Sequence, residues 1–405
     1  MNNTLFSLCW LALSPFLAHA GNINLPKATV APTQKAKEAV LCDIKFNKAV
    51  PNELQLNNAG TIEKNGLHLT QCGETVKLNK FYAVAERVVR YRVNFSSDAK
   101  AVFKSSLGDF QVFIDVPHHK ISLNTSPTTE KDVPFLQGNR DYIVEIYHVY
   151  QKAVVRITDT KTKQNAEISL ENDGPGGCGK GTLQHGFSVG MQWDHYCFGL
   201  VSGTSVLVKR MTVCALKNKV KVLIYGDSIT QPEGYFPAKE FSKAWTQQII
   251  AKLNYNAMSS GRGGGTIITV LEFIKNELPF IKAEYVLVTI GTNGGNTEEN
   301  LTELVRYIKS RGCIPILNNI PCNESGTQIS NNQLIEKVRQ KENINGAKFD
   351  LATSLKGDGK EVDKSLMFWE DYTGSYGWQI YHHPNALGGK KMFEQTLKDI
   401  PEIYK

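Results

Sequence analysis

The sequence predicts two architectures in one chain, an all-β sandwich of the jelly-roll kind followed by an α/β domain built on a parallel sheet. From about residue 22 to 216 apolar and polar residues alternate with period two, and after residue 217 short apolar runs alternate with helix-period segments. At 405 residues the chain also exceeds one ordinary core, given roughly 100–200 residues per domain. The expected division is a leader over 1–20, a sandwich over 21–216 and an α/β domain over 217–405. The short junction at Lys217-Asn218-Lys219 implies docked domains rather than beads on a string.

The first half reads as strands with little helix. Val89-Arg90-Tyr91-Arg92-Val93-Asn94-Phe95 alternates without error, and 110–116, 142–148, 154–158 and 205–213 follow the same pattern. Turn-type residues such as Asn172-Asp173 and Gly176-Gly177 separate them. Half-buried antiparallel sheets hide their apolar sides by facing each other, hence a sandwich. In the second half strands are expected at 219–225, 255–259, 284–290, 314–320 and 347–353. Helices are expected at 238–253, 266–277, 298–310, 331–342 and 386–399, with Leu301, Leu304, Val305 and Ile308 forming an i, i+3, i+4, i+7 stripe. Strand–helix alternation of this kind means a parallel sheet covered on both faces.

Charged residues at 21% and hydrophobic ones at 41% describe a soluble globular protein. The net charge of +7 is dispersed, with no basic run interleaved with aromatics, which argues against a nucleic-acid partner. Residues 4–17 are uncharged and nearly all apolar or small, and Ala18-His19-Ala20 follows as a small-x-small cleavage site, so secretion or periplasmic export is expected. No later run suggests an integral membrane segment. Loss of Cys9 with the leader leaves Cys42, Cys72, Cys178, Cys197, Cys214, Cys313 and Cys322. An exported protein can keep disulfides, and some pairing is expected among the first five. Cys313 and Cys322 flank an expected strand, so they lie roughly 25–30 Å apart, too far for a bridge. No cysteine or histidine spacing points to a metal, and no cofactor motif is present. His118-His119 and Trp193-Asp194-His195-Tyr196 are candidate metal or sugar contacts, although aromatics at strand ends are usually core residues.

Four segments at expected strand ends carry the chemistry. Gly226-Asp227-Ser228 stops the first apolar run of the second half, where reacting groups sit in open α/β sheets. Ser259-Ser260-Gly261-Arg262-Gly263-Gly264-Gly265-Thr266 ends the second strand and opens a helix, leaving main-chain N–H groups to face an anion. Gly291-Thr292-Asn293 ends the third, and His382-His383-Pro384-Asn385 precedes the last helix. Together and in this order they resemble the SGNH, or GDSL-type, hydrolase family, in its two-domain carbohydrate-esterase form. The resemblance covers roughly residues 219–400.

Position by position, the resemblance implies that Ser228 is the nucleophile and His383 the general base, with His382 not the equivalent residue. It assigns the oxyanion hole to the N–H groups of Ser228 and Gly264 and the carboxamide of Asn293. It also implies a three-layer α/β/α fold and ester hydrolysis without a metal. Glycine at 264 is expected to let the main chain approach without a clashing Cβ. The missing second glycine of Gly-x-Ser-x-Gly argues against an α/β-hydrolase elbow. Two positions depart from the family pattern, Gly294 and Ile380, the latter standing where an acid usually precedes the base by three residues. Either His383 is oriented by a main-chain carbonyl in a Ser–His dyad, which is the preferred reading, or a carboxylate arrives from elsewhere, with Glu370 and Asp371 the nearest candidates. Asp227 is expected to order its turn. Arg262 and Trp378 are candidate substrate contacts. The aromatics Phe368, Trp369, Tyr372, Tyr376 and Trp378 in the segment 356–381 suit sugar rings better than acyl tails. The expected activity is hydrolysis of acyl esters, O-acetyl above all, on a carbohydrate. The rivals are a lipid or aryl-ester hydrolase of the same mechanism and an inert glycan-binding protein.

Overall fold

The computed structural model describes residues 37–47, 52–106, 110–124, 128–150, 152–171, 180–181, 196–231, 236, 238–373 and 377–405. The expected leader, Cys178, Trp193-Asp194-His195, Tyr376 and the turn at 172–177 lie outside the described residues. Residues 35–405 belong to one compact unit.

Two antiparallel sheets form the sandwich. The first runs, in spatial order, Asn165–Glu171, Lys152–Asp159, Asp141–Val149, Glu86–Phe95, Val206–Ala215, Gly66–Leu69 and Gly60–Glu63, with Ala39–Lys45 also paired to Val206–Ala215. The second runs Thr129–Asp132, Lys120–Leu123, Gln111–Asp115, Lys100–Ser105, Tyr196–Ser202, Thr75–Leu78 and Leu54–Gln55. Strict alternation sends Val89, Tyr91, Val93 and Phe95 inward and turns Arg92 out to solvent. Tyr91 of the first sheet meets Phe103 and Phe198 of the second at ring separations of 4.6 and 5.2 Å. The described cysteines Cys42, Cys72, Cys197, Cys214, Cys313 and Cys322 are all free, which corrects the expected pairing for Cys42, Cys72, Cys197 and Cys214. Cys42 and Cys214 do lie on adjacent strands, but the register sets Cys42 against Val213 and Val40 against Cys214. Alternation then points the two thiols to opposite faces.

After Ala215 the chain enters a four-stranded parallel sheet within four residues. Its strands are β1 (Lys219–Gly226), β2 (Ala257–Gly261), β3 (Lys282–Thr289) and β4 (Ile314–Leu317), in the order β2-β1-β3-β4. The helices are α1 (Trp245–Lys252), α2 (Ile267–Glu277), α3 (Glu298–Ser310), α4 (Gln328–Glu342), α5 (Phe349–Thr353) and α6 (Ala386–Asp399). Leu223 and Tyr225 of β1 pack with residues of α2, α3 and α4, whereas Val222 and Ile224 pack with α1, α5 and α6. The sheet is therefore covered on both sides. Gly226 is level with Gly261 on one neighbour and with Thr289 on the other, so three strand ends open at one rim.

Two expected elements differ. The helix expected over 238–253 is a 3₁₀ segment, Ala238–Lys243, followed by α1, with Ala244 between them in an extended conformation. The strand expected over 347–353 is instead the helix α5. Its approach does pair briefly with the sheet edge, Leu317 N–H to Asn345 O at 3.0 Å and Asn319 N–H to Ala347 O at 2.9 Å. The next donors then go to side chains, Ala347 N–H to Asn318 and Lys348 N–H to Asp399, and the ladder stops. The segment 356–381, for which no strand or helix is expected, contains most of an antiparallel hairpin, β5 (Met367–Asp371) with β6 (Gln379–Pro384).

The sandwich and the α/β layers share one hydrophobic core. Phe81 packs on Phe273 of α2 at 4.8 Å. Beside them Glu277, fully buried, accepts the main-chain N–H groups of Ala83 at 2.5 Å and Val84 at 2.9 Å and the Ser260 hydroxyl at 2.6 Å. Burial pushes its carboxyl pKa up against those bonds. Glu277→Ala is expected to destabilise the protein by about 3–5 kcal/mol in urea unfolding, because it leaves buried donors without an acceptor. Glu277→Gln, which keeps a carbonyl oxygen, should lose much less.

Candidate active site

The first loop is shaped by glycine and aspartate. A Cβ on Gly226 would lie 2.1 Å from Thr230 Oγ1 and 2.4 Å from Thr289 O, so only glycine lets β1 end against β3 here. Asp227 then orders the turn. Its Oδ1 accepts Ile229 N–H at 3.0 Å, and its carbonyl accepts the N–H groups of Thr230 and Gln231, both at 3.1 Å. Ser228 sits at the top of this turn, 6% exposed, and makes no hydrogen bond among the described residues. Catalytic contacts are commonly long in unliganded sites and tighten with substrate.

The second loop follows β2. Arg262 N–H bonds Gly226 O and Gly265 N–H bonds Arg262 O, each at 3.0 Å, and Gly263 N–H bonds the Gln231 side chain. Gly264 has φ +71°, yet an added Cβ would meet nothing within 4 Å. The positive φ alone already favours glycine at this position. The Gly264 N–H, like that of Ser228, has no acceptor among the described residues. Arg262 lays its guanidinium over Phe81 of the sandwich, 5.4 Å from the ring centroid. Asn293, on the third loop, donates from Nδ2 to Gly265 O at 3.0 Å, which joins the second and third loops and leaves one further N–H on that nitrogen.

The β5–β6 hairpin carries the imidazole and a carboxylate. Glu370 is fully buried and His383 is 5% exposed. Both Glu370 oxygens face His383 Nδ1, at 2.8 and 2.9 Å, Oε2 also accepts the His383 main-chain N–H at 3.2 Å, and Tyr372 donates its hydroxyl to Oε1 at 2.8 Å. Burial raises the Glu370 pKa, but the His383 charge and these bonds outweigh it and hold the carboxyl below its ordinary value. The group facing Nδ1 is thus a carboxylate and not the main-chain carbonyl preferred from sequence. Asp371, the other acidic candidate, points to the opposite face of the strand and accepts the N–H and hydroxyl of Thr373. Glu370 is the cross-strand partner of Ile380, the position at which an acid was sought. Tyr372, expected only as one of the aromatics of this segment, is the i+2 neighbour of Glu370 and reaches it from the same side of the chain.

Burial raises the Asp227 carboxyl to about 6, opposed by the Ile229 N–H, the His383 charge and the Thr292 hydroxyl. The adjacent His382 ring lies 4.5 Å from that of His383, and burial together with the His383 charge drives its pKa down to about 3. At the hairpin tip Trp378, 43% exposed, leans on Tyr372 with ring centroids 4.4 Å apart. Elsewhere, His118 bonds Asp115 and His119 bonds the Leu136 carbonyl. Among the described residues no group of three His, Cys, Asp or Glu side chains is placed to hold a metal ion, and no helix is long and apolar enough to cross a membrane.

No family model and no curated protein matches the chain. Among solved structures it is similar to Axe2, an acetylxylan esterase from Geobacillus stearothermophilus, with 15% identity over 44% of this chain and 93% of that one and a TM-score of 0.33. It is also similar to the exoplasmic/lumenal domain of VIP36, bound to Ca2+ and Man3GlcNAc, with 8% identity over 44% of this chain and 90% of that one and a TM-score of 0.33.

Proposed function

We propose that the chain is an exported serine esterase that cleaves acyl esters, chiefly O-acetyl groups, on a carbohydrate. The reading takes 1–20 as a signal peptide, 21–216 as a jelly-roll accessory domain and 217–405 as an SGNH-type catalytic domain. The observation that carries it is the buried Glu370–His383 pair, a carboxylate on an imidazole just before α6, in a chain whose β1 ends at the Gly226-Asp227-Ser228 turn. A neutral imidazole that donates Nδ1–H to Glu370 has its lone pair on Nε2, where a serine proton can be received. Ser228 Oγ then attacks the ester carbonyl carbon while His383 takes the hydroxyl proton. The carbonyl oxygen becomes an oxyanion facing the N–H groups of Ser228 and Gly264 and the remaining Asn293 N–H. Collapse breaks the acyl–oxygen bond, and the sugar alcohol leaves with the proton from His383. Water, deprotonated by the same ring, releases the acid from Ser228. No cofactor takes part in these steps.

The exposed Trp378 indole backed by Tyr372 supports a sugar as the alcohol, since a flat aromatic face stacks on a pyranose ring. Arg262, over Phe81 at 5.4 Å, has a packing role in addition to any contact with substrate. Acetyl and longer-chain nitrophenyl esters, assayed with wild type and Ser228→Ala, test the reading. Serine-dependent turnover that favours acetyl is the expected result. A preference for long chains would favour the lipase-like rival, and no serine-dependent turnover would leave a glycan binder.

A further inference from the structure

Building on the esterase reading, on which it depends, we infer that Gln231 is a positioning residue: its carboxamide holds the loop carrying Gly264 against the turn carrying Ser228 and so aims the Gly264 N–H. Gln231 ends the Ser228 turn, with its own N–H on Asp227 O at 3.1 Å, and is only 2% exposed. Its Oε1 accepts the Gly263 N–H at 2.5 Å across 32 residues of sequence. The two loops touch through their main chains as well, because a Cβ on Gly261 would lie 2.6 Å from Gln231 N and 2.7 Å from Thr230 C. The N–H groups of Arg262, Gly263 and Gly265 are taken by Gly226 O, Gln231 Oε1 and Arg262 O in turn. Gly264 alone in this run has no acceptor among the described residues. Fixing the Gly263 N–H fixes the peptide plane just before the one that presents the Gly264 N–H. Glycines on both sides give the loop little stiffness of its own, so the side-chain bond sets its orientation.

The residue type fits this task. A carboxamide accepts a hydrogen bond without charge, whereas a carboxylate in the same place would bring a fixed negative charge next to a site where negative charge develops. Methionine matches the volume of glutamine and lacks the acceptor. In Gln231→Met, kcat for nitrophenyl acetate should fall by about 10²-fold, the size of loss caused by a misplacement near 1 Å. KM should stay within roughly threefold, because the lost interaction acts on the transition state. Amide exchange across 261–266 should speed up while the remaining sandwich and sheet peptides match wild type. In Gln231→Glu the loop should keep its exchange protection and kcat should still fall. A Gln231→Met enzyme with kcat within threefold of wild type overturns the inference, as does a variant that loses only melting temperature. If wild type itself shows no Ser228-dependent turnover, the esterase reading fails and the catalytic part of the inference falls with it. Unchanged exchange over 261–266 in Gln231→Met then refutes the loop-holding part too.

Discussion

His383→Ala should lower kcat on the order of 10⁶-fold, the loss seen when the base of a serine triad is removed, while His382→Ala should stay within roughly tenfold of wild type. The two histidines are neighbours in sequence and 4.5 Å apart ring to ring, but successive residues on a strand face opposite ways. Among the described residues His383 and not His382 hydrogen-bonds the Glu370 carboxylate. His382, whose pKa burial and the His383 charge force to about 3, makes no hydrogen bond to a carboxylate among the described residues. Steady-state rates on nitrophenyl acetate for the two variants decide the matter. Comparable losses from both would refute the assignment of His383.

Glu370→Gln should lower kcat by about 10⁴-fold with the fold intact, through the imidazole tautomer. Each Glu370 oxygen serves two donors, Oε1 taking Tyr372 and Nδ1, Oε2 taking Nδ1 and the His383 main-chain N–H. A main-chain N–H cannot turn away, so the single carbonyl oxygen of glutamine goes to it and the new NH₂ group faces Nδ1. The ring then accepts at Nδ1 and carries its proton on Nε2, where it cannot receive one from serine. The pH dependence has a definite sign. The Glu370 pKa is depressed below 4.5 in the folded protein, so the carboxylate contributes its full stability above that value. The contribution is lost as pH falls through the lower, native value. Any stability gap between wild type and Glu370→Gln should therefore narrow on acidification below about pH 4, as read by thermal melts. A Gln variant with wild-type turnover would instead support a simple dyad.

Glu370 shows what the sequence could and could not display. Ser228, Gly264 and Asn293 follow three expected strands and His383 precedes an expected helix, and local spacing suffices to see that. Glu370 reaches His383 across a hairpin, with a register shift between Met367 and Trp369, and no local spacing encodes such a shift. The hairpin itself leaves no periodic signal, because its strands mix aromatics, acids and histidines rather than alternating apolar with polar. Val89 to Phe95 alternates cleanly because one face meets the core and the other meets water. At 347–353 an apolar run looked like a fifth parallel strand, but side-chain acceptors from Asn318 and Asp399 take the ladder donors and the chain coils. Gln231, a single polar residue after a turn, carries no sequence signature for a contact 32 residues away.

The carboxylate of Glu277, clasped by the amides of Ala83 and Val84, makes the β-rich half something other than a tether for the half that holds Ser228. Severing the polypeptide near residue 217 would strip Phe273 of Phe81 and take from Arg262 the ring it rests on, one residue before the glycines of its loop. Gene fusions that transplant residues 217–405 alone into another scaffold would inherit a raw, sticky surface in place of a clean module edge, so the two sheets of the sandwich have to travel with the parallel sheet.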